Sequence, residues 1–369
     1  MNIGFIYGAF ALPDGSLDFS NIWDDPRGLT GSELSFVCFA RGMAKRGHDV
    51  RIYMHGVSRC DWEGVRVSPL EPFLNECDGL DVAYSWNEPT PLKVVGPGIL
   101  RMVNLQINSF THCPPGFGSY VDLWTSPSDS HRMHVGASSP NPARWITIPN
   151  GCDPSIYESR PRVPGRVMWA SSPDRGLDNL LEIWPKIRKE VPGATLRIFY
   201  KMKKWLDHFL NHPNPALHPT YPLQVDRAKR IRGFLDQYRS EGIEVFESVS
   251  RNRMSQEMAE ATVLAYPCDT VDYTEGFSVT LMEACASGAI PVTSAVDALG
   301  SIYGGYVPMV KAPVRSHLVG FAGLVVRALT DESFQSKVRF KSRSLADAHH
   351  WDVLTEKLER SINDARRKL

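Results

Sequence analysis

Two glutamates, Glu275 and Glu283, flank the start of a predicted helix in the second half of the chain. A glycine-containing turn follows Glu275, and the helical pattern begins at about Ser278. Backbone N–H groups at a helix N-terminus lack intrahelical partners and carry about half a positive charge, which suits a diphosphate. Glu283 lies about 7 Å farther along the helix axis, where its carboxylate could accept hydrogen bonds from a vicinal diol such as a ribose. The alternative interpretation is a capped surface helix with two solvated carboxylates.

Short apolar runs alternate with helical patterns on both sides of this pair. Such alternation predicts an α/β fold with parallel sheets covered by helices on both faces. Asn150-Gly151 and the proline-rich stretch 154–164 interrupt the alternation, which restarts with a strand at 166–172. We therefore expect two doubly wound domains, 1–153 and 154–350, with the ligand bound in the cleft at the carboxyl ends of their strands.

The same patterns predict the individual elements. A capping box from Thr30 to Glu33 starts the first helix, which ends at Gly47. Later helices are expected over 176–191, over 278–286 and throughout the tail from residue 315, whereas 201–241 is interpreted as a polar insert. The predicted strands are 2–10, 48–54, 80–86, 99–107, 121–126 and 145–149 in the first domain and 166–172, 195–200, 243–247, 263–267 and 290–294 in the second.

The composition argues against several functional classes. Lys plus Arg and Asp plus Glu both total 41, so no overall charge points to nucleic acid or to an anionic membrane surface. The 7 cysteines are scattered without a C-x-x-C pair, a pattern typical of reduced thiols. Neither a signal peptide nor an apolar stretch of roughly 18 residues is visible. We therefore expect a cytoplasmic protein with at most peripheral membrane contact and no nucleic-acid partner.

Two histidines have a spacing that some metal ligands share. His131 and His134 stand at positions i and i+3, but no carboxylate or cysteine lies in register with them. We therefore interpret them as part of a polar helix face and predict no metal site. The basic run 227–232 could contact an anionic lipid or acceptor, and we prefer its interpretation as a solvated helix face.

The segment from Glu275 to Glu283, with its internal Gly-Phe-Ser, resembles the motif of the family 4 retaining glycosyltransferases, which have the GT-B fold. In that family the first glutamate contacts the donor sugar, the second contacts the ribose, and the backbone between them contacts the diphosphate. The resemblance implies these roles for Glu275, for Glu283 and for the residues between them: Gly276, Phe277, Ser278, Val279 and Thr280. It also implies an acceptor-binding first domain, a nucleotide-sugar-binding second domain and a tail helix, 351–369, that crosses back to the first. The resemblance covers the chain except for 201–241.

Other donor-binding residues follow from the same resemblance. Arg175-Gly176 matches a Lys-Gly step that neutralises the diphosphate, a task that suits a planar guanidinium. A helix-opening arginine exposed to solvent is the alternative. Ser171-Ser172 stands where the family has an arginine, and Lys201, at the end of the next predicted strand, could supply that second cation. Gly31 belongs to a loop expected to approach the phosphates closely, and Val249 to a loop expected to frame the nucleotide base.

The acceptor side departs from the family, which often has a histidine near the reacting sugar. Gln106 and Asn108 stand at the matching strand end, in the acceptor-side position. His112 follows shortly and could take the catalytic place of that histidine. The alternative interpretation is a structural loop histidine.

The resemblance implies sugar transfer, with retention of anomeric configuration, from a nucleotide diphosphate sugar to a carbohydrate, lipid-linked or small-molecule acceptor. Glu275, Arg175 and His112 are the expected catalytic residues, and a UDP- or GDP-linked sugar is the expected co-substrate, without a further cofactor. Two other functions stay open. A non-catalytic sugar- or protein-binding module would fit the missing histidine and the Ser171-Ser172 departure. A nicotinamide-dependent oxidoreductase would fit Rossmann domains, although the first strand lacks a following G-x-G-x-x-G.

Overall fold

The computed structural model describes residues 1–8, 17–110, 113, 116–136, 144–157, 160–211 and 220–369. The chain divides into two compact units. Unit 1 comprises Met1–Gly151 and His349–Leu369, and unit 2 comprises Cys152–Ala348. Each unit is built on its own largely parallel sheet with helices, so the predicted α/β class is confirmed.

Unit 1 contains an eight-stranded sheet. Its strands are β1 (Asn2–Tyr7), β2 (Asp49–Met54), β3 (Cys60–Trp62), β4 (Val65–Pro69), β5 (Val82–Trp86), β6 (Leu100–Asn104), β7 (Leu123–Ser126) and β8 (Trp145–Thr147). Their order is β3-β4-β2-β1-β5-β6-β7-β8, with β3 antiparallel to β4 and the other pairs parallel. The β3–β4 hairpin was not predicted, because strands of 3 and 5 residues are too short for a clear periodic pattern.

The helices in the first part of unit 1 are α1 (Gly31–Lys45), α2 (Phe73–Glu76) and α3 (Asp129–Gly136). The predicted capping box starts α1. The Glu33 backbone N–H donates to the Thr30 hydroxyl at 3.3 Å, and the Thr30 N–H donates to the Glu33 carboxylate at 2.6 Å. Two backbone donors at the helix start are thereby satisfied.

Unit 2 contains a six-stranded parallel sheet. Its strands are β9 (Arg166–Trp169), β10 (Thr195–Phe199), β11 (Ile243–Phe246), β12 (Val263–Tyr266), β13 (Ile290–Ser294) and β14 (Met309–Val310). Their order is β11-β10-β9-β12-β13-β14. Successive strands after β9 are added on one side of it and those after β12 on the other side, so the direction in which strands are added reverses between these two neighbours.

The helices of unit 2 surround this sheet and are α4 (Leu177–Glu190), α5 (Met202–Leu210), α6 (Tyr221–Gln237), α7 (Arg251–Glu260), α8 (Val279–Ser287), α9 (Leu299–Tyr303), α10 (Leu318–Thr330) and α11 (Glu332–Ala348). The bounds of α8 agree with the predicted helix because both ends are determined locally. The Ser278 hydroxyl accepts the Leu281 N–H at 3.3 Å, and Gly288 ends the helix at φ 77°, a conformation that glycine adopts without steric cost.

The segment 201–241 is part of the fold rather than a separate polar insert. It forms α5 and α6, and the side chains of Met202, Trp205 and Ile231 are buried in the core of unit 2. The interpretation of 227–232 as a solvated face is wrong for Arg227, which is only 8% exposed. A buried guanidinium must be paired, and Arg227 finds its partners in other elements of unit 2.

The last helix, α12 (Trp351–Arg366), belongs to unit 1 and packs on α1. A Cβ atom at Gly42 would lie 2.4 Å from Thr355 Oγ1, so glycine is required for the two helices to approach this closely. The Trp351 and Phe39 rings meet edge to face at 5.3 Å. Among the described residues, no helix is both long enough and apolar enough to cross a lipid bilayer.

Candidate active site

The candidate site lies in unit 2, where the loops after β9 and β12 meet. Arg175 is on the first of these loops and Glu275 on the second. In open parallel sheets, ligands bind at the carboxyl ends of the strands where the strand order reverses. β9 and β12 are the neighbouring strands at this point.

Glu275 is a buried carboxylate that accepts hydrogen bonds from two side chains. Its side chain is 2% exposed, and its Oε2 atom lies 2.6 Å from Arg175 Nη1. The Tyr266 hydroxyl donates a hydrogen bond to the same oxygen. Burial opposes the charge of Arg175, but the Glu275 carboxylate outweighs this effect and raises the pKa of the guanidinium. Arg175 therefore stays charged beside Glu275, and such pairing is what makes a buried carboxylate tolerable.

Asp297, which follows β13, anchors the backbone at Glu275. Its Oδ2 atom accepts the backbone N–H groups of Thr274 at 3.0 Å and of Glu275 at 2.9 Å. The Thr270 hydroxyl donates to the same oxygen at 2.9 Å. Asp297 has φ 50°, a left-handed conformation that aspartate adopts more readily than most residues. The position of Glu275 thus depends on a residue from a third strand end.

The turn between Glu275 and α8, and the first turn of α8 itself, are hydrogen-bonded to other parts of unit 2. The Thr280 hydroxyl donates to the Ala170 carbonyl at 2.9 Å, and the Tyr303 hydroxyl donates to the Ser278 carbonyl at 2.5 Å. Along this turn, buried positions precede half-buried ones: Gly276, Phe277 and Ser278, then Val279 and Thr280. What such a turn offers a ligand is mainly the backbone N–H groups of the first helical turn.

Glu283, inside α8, forms a second buried pair with an arginine. Arg251, the first residue of α7, contacts Glu283 Oε1, and both side chains are less than a tenth exposed. Arg251 also donates to the Tyr157 hydroxyl at 3.2 Å. Burial disfavours the charge of Arg251, but Glu283 and Tyr157 together raise its pKa above the usual value. Arg251 therefore connects the loop predicted to frame the base with Glu283, the residue predicted to bind the ribose.

Ser172, Lys201 and Val249 follow three neighbouring strands of the same sheet. The Ser172 hydroxyl, after β9, donates to the Asp174 carboxylate. Lys201, after β10, is half-buried at the start of α5. Val249, after β11, is half-buried and packs on the core. The structure brings these residues to the same edge as Arg175 and Glu275, and their roles in donor binding stay predictions.

In unit 1, the predicted acceptor-side residue Gln106 belongs to a network of side-chain amides. Its Nε2 atom donates to Asn104 Oδ1 at 2.8 Å and to Asn150 Oδ1 at 3.0 Å. Its Oε1 atom accepts from Asn150 Nδ2 at 2.9 Å. The Gln106 backbone N–H donates to Asn87 Oδ1 at 2.7 Å. In this structure the Gln106 amide therefore ties together the ends of several strands.

The other predicted residues of unit 1 have simpler surroundings. Gly31 is the first residue of α1, and Asn108 is half-buried in the loop after β6. His112 lies outside the described residues. The participation of these three residues in acceptor or donor binding stays a prediction.

His131 is not on a polar helix face, contrary to the sequence interpretation. Its side chain is 0% exposed, with Nδ1 2.7 Å from the Ser126 hydroxyl and Nε2 3.0 Å from the Ile107 carbonyl. Burial lowers the pKa of His131 to about 4. A neutral ring can donate from one nitrogen and accept at the other, so His131 is a structural link between β7, α3 and the loop after β6. Within the described part of the chain, no three His, Cys, Asp or Glu side chains cluster as a metal site.

Sequence reasoning missed three residues that shape the site: Tyr266, Arg251 and Asp297. Each stands at or shortly after the carboxyl end of a strand in unit 2, where polar side chains of parallel sheets converge on ligands. That position was the available signal. Their contacts with Glu275 and Glu283 could not be predicted, because they depend on which strands are neighbours.

No protein-family model matches the chain, and no curated protein sequence matches it. Solved structures do. AviGT4, a glycosyltransferase of avilamycin A biosynthesis, is 17% identical, with a TM-score of 0.66 over 99% of this chain and 98% of that one. Sucrose-phosphate synthase from Thermosynechococcus elongatus is 11% identical, with a TM-score of 0.70 over 100% of both chains. Anabaena HepE, in complex with UDP and glucose, is 13% identical, with a TM-score of 0.68 over 99% of this chain and 100% of that one.

Likeness at these identities establishes the fold. It spans nearly the full length of all three chains, and the shared architecture is that of the GT-B proteins, with two Rossmann-like domains. The fold predicted from the motif around Glu275 is therefore confirmed. Function must be argued from the site, because one fold supports many chemistries.

Proposed function

Since the chain has the GT-B fold, we propose that it is a glycosyltransferase that moves a sugar from a nucleotide diphosphate sugar to an acceptor. The observation that carries this proposal is the Arg175–Glu275 pair, 2.6 Å apart, in which Glu275 stands in the turn that leads into α8. A guanidinium next to helix N–H groups suits a diphosphate, and a neighbouring carboxylate suits sugar hydroxyls. Unit 2 is the proposed donor-binding domain, and unit 1 the proposed acceptor-binding domain.

In the proposed complex, the diphosphate binds to Arg175 and to the backbone N–H groups of 276–280. Lys201 is the proposed second cation. Arg175 and Tyr266 both contact Oε2 of Glu275, so we assign the other oxygen, Oε1, to the hydroxyls of the donor sugar. This division lets one carboxylate be fixed by the protein and still accept hydrogen bonds from the substrate.

The nucleoside is assigned to the neighbouring part of unit 2. Glu283 contacts Arg251 through Oε1, and its second oxygen is assigned to the ribose diol. The base is assigned to the loop that contains Val249, which ends at Ser250, the capping residue of α7. Arg251 follows that cap directly, so its contact with Glu283 links the proposed base-binding loop to the proposed ribose contact.

In the proposed reaction, catalysis depends on positive charge that the folded protein already holds beside the diphosphate. The leaving diphosphate gains negative charge in the transition state, and fixed donors at that point stabilise the transition state more than the ground state. Arg175 and the N-terminus of α8 can supply this positive charge without a metal ion. We also propose retention of configuration, with attack on the face from which the diphosphate departs. Glu275 is a poor covalent nucleophile, because a guanidinium and a hydroxyl already draw on its charge.

A UDP- or GDP-linked sugar is the proposed donor. The similar structure of Anabaena HepE was obtained in complex with UDP and glucose, which makes UDP and UDP-glucose the first probes. The proposed acceptor is a carbohydrate, a lipid-linked sugar or a small molecule that binds to unit 1, near Gln106, Asn108 and His112.

The decisive experiment combines binding and turnover. The protein is screened for thermal stabilisation by UDP, GDP, ADP, TDP and NADH. It is then incubated with the nucleotide sugars that correspond to the four diphosphates, while release of the diphosphate is measured. We expect one diphosphate to stabilise the protein and its sugar to be hydrolysed slowly or transferred. Glu275→Gln should release at least about 100-fold less diphosphate, whereas Glu332→Gln, an exposed residue of α11, should match the unmodified protein.

The same experiment separates the alternatives. Diphosphate binding without hydrolysis or transfer would support a non-catalytic binding module. Stabilisation by NADH alone would support an oxidoreductase. Equal turnover by Glu275→Gln and Glu332→Gln would refute the assignment of the catalytic site.

A further inference from the structure

Arg227, on α6, joins the two loops that carry Arg175 and Glu275. We propose that it is a positioning residue that clamps these loops together and thereby determines the affinity for a diphosphate. The inference rests on the proposed function, which it extends to α6, a part of unit 2 that the sequence resemblance to family 4 does not cover.

The guanidinium of Arg227 contacts the backbone of both loops. Its Nη1 atom donates to the carbonyl of Asp174, immediately before Arg175, and to the carbonyl of Asp269 at 2.8 Å. The Asp269 N–H in turn donates to the Arg175 carbonyl at 3.1 Å. One side chain therefore fixes the loop after β9 to the loop after β12.

The orientation of Arg227 is itself fixed by a buried carboxylate. Asp178, on α4, is 0% exposed, and its Oδ1 atom lies 3.1 Å from Arg227 Nε. Arg230 and Arg315 reach Oδ2 of Asp178 at 3.1 Å and 3.0 Å. Because Asp178 keeps two other cations when Arg227 is replaced, the substitution need not leave an unpaired buried charge.

The two loops that Arg227 joins are in direct backbone contact, so a small movement of either loop would break that contact. Gly176 has φ 106°, and a Cβ atom there would lie 2.3 Å from the Pro267 carbonyl oxygen. At such a contact, Arg175 can meet Glu275 only if both loops keep their places. Arg175 is the one arginine that this loop offers to the proposed diphosphate, because Ser171 and Ser172 supply no second guanidinium.

The origin of the clamp is also informative. Arg227 comes from α6, within 201–241, the segment that the resemblance to family 4 does not cover. Lys229 on the same helix is 62% exposed, whereas Arg227 is 8% exposed. The segment therefore contributes a buried side chain to the site in addition to its exposed basic surface.

Calorimetry with UDP, GDP, ADP and TDP, each compared with its monophosphate, tests the clamp in four proteins. These are the unmodified protein, Arg227→Ala, Arg227→Lys and Arg230→Ala. Arg230 is the matched control, because it shares Asp178 but otherwise pairs with Glu182 on α4 at 2.6 Å. The ratio of diphosphate to monophosphate affinity isolates the contribution of the second phosphate. We expect this ratio to fall at least about tenfold in Arg227→Ala, to recover in part in Arg227→Lys and to stay unchanged in Arg230→Ala.

Amide hydrogen exchange gives a second measurement that needs no ligand. The Asp269 N–H should exchange faster in Arg227→Ala than in Arg230→Ala. Equal ratios and equal exchange in these two variants would overturn the clamp. If no diphosphate binds the unmodified protein, the proposed function fails and with it the role of Arg227 in diphosphate affinity, whereas faster exchange at Asp269 still supports the link between the two loops. If Arg227→Ala does not fold, Arg227→Lys makes the same comparison, because one ammonium cannot reproduce the fork that contacts two carbonyls and Asp178.

Discussion

Arg175 and Glu275 are 100 positions apart in the chain, and their side chains meet at 2.6 Å. They meet because β9 and β12, which precede them, are adjacent parallel strands. The contact joins the two residues on which the proposed chemistry most depends: a cation for the diphosphate and a carboxylate for the sugar. It also couples stability to the site, because the Glu275 side chain is buried and its carboxylate needs Arg175 as a counter-ion.

Arg175→Gln should destabilise unit 2 by about 3–5 kcal/mol, because it leaves the Glu275 carboxylate buried without its counter-ion. The double variant Arg175→Gln/Glu275→Gln should lose less than the sum of the single effects, with a coupling energy of about 1–3 kcal/mol. Urea unfolding of the four proteins measures this cycle. Additive single effects would contradict an interaction between the two side chains in the folded protein.

Glu283→Gln should weaken UDP binding about tenfold, because the neutral amide accepts the hydrogen bonds of the ribose less strongly than a carboxylate. The affinity for 2′-deoxy-UDP should differ little between Glu283→Gln and the unmodified protein, because this nucleotide lacks the 2′-hydroxyl from which the Glu283 carboxylate would accept a hydrogen bond. Titration calorimetry with both nucleotides measures the difference, and Glu332→Gln is again the control. A parallel loss for both nucleotides would argue against a contact between Glu283 and the ribose.

Asp297→Ala should lower kcat/KM by about ten- to a hundredfold, because small displacements of reacting groups are costly. The substitution removes the acceptor for the backbone N–H groups of Thr274 and Glu275. Asp297→Asn keeps an oxygen acceptor and tolerates the left-handed backbone, so we expect an intermediate rate. Steady-state kinetics of both variants test this order, and an alanine variant as active as the unmodified protein would exclude a positioning role.

His131 should make unit 1 less stable in mild acid. Burial lowers the pKa of His131 from 6.5 to about 4, so between these values the unfolded chain binds a proton that the folded protein does not. The contribution to stability is fully present above about pH 6.5 and is lost as the pH falls toward 4, by about 3 kcal/mol in total.

The free energy of unfolding at pH 7.5 and pH 5 measures this effect. The free energy of unfolding of His131→Gln should depend less on pH than that of the unmodified protein. His55→Gln, at an exposed histidine, should retain the full pH dependence. An unchanged pH dependence in His131→Gln would show that other groups cause the acid sensitivity.

The sequence by itself determined the features that short-range interactions control. The capping box at Thr30, the cap at Ser278 and the glycine end of α8 involve residues within a few positions of one another. The apolar runs of the buried strands are also local, because a parallel strand covered on both faces must be apolar along its length. These features were sufficient to predict the α/β class and the helix that starts after Glu275. The GT-B fold followed from the resemblance of the segment from Glu275 to Glu283 to the family 4 glycosyltransferases, and the binding of a diphosphate at this turn stays a prediction.

Only the tertiary structure decided which charges meet. The partners of Glu275, Glu283 and Arg227 come from other strand ends and helices, and nothing in the local sequence identifies them. The exposed appearance of 227–232 and of His131 was misleading for the same reason, since a polar residue in an amphipathic pattern is buried only if a distant partner satisfies it. The order of the strands supplies those partners, and that order is a property of the whole packed sheet.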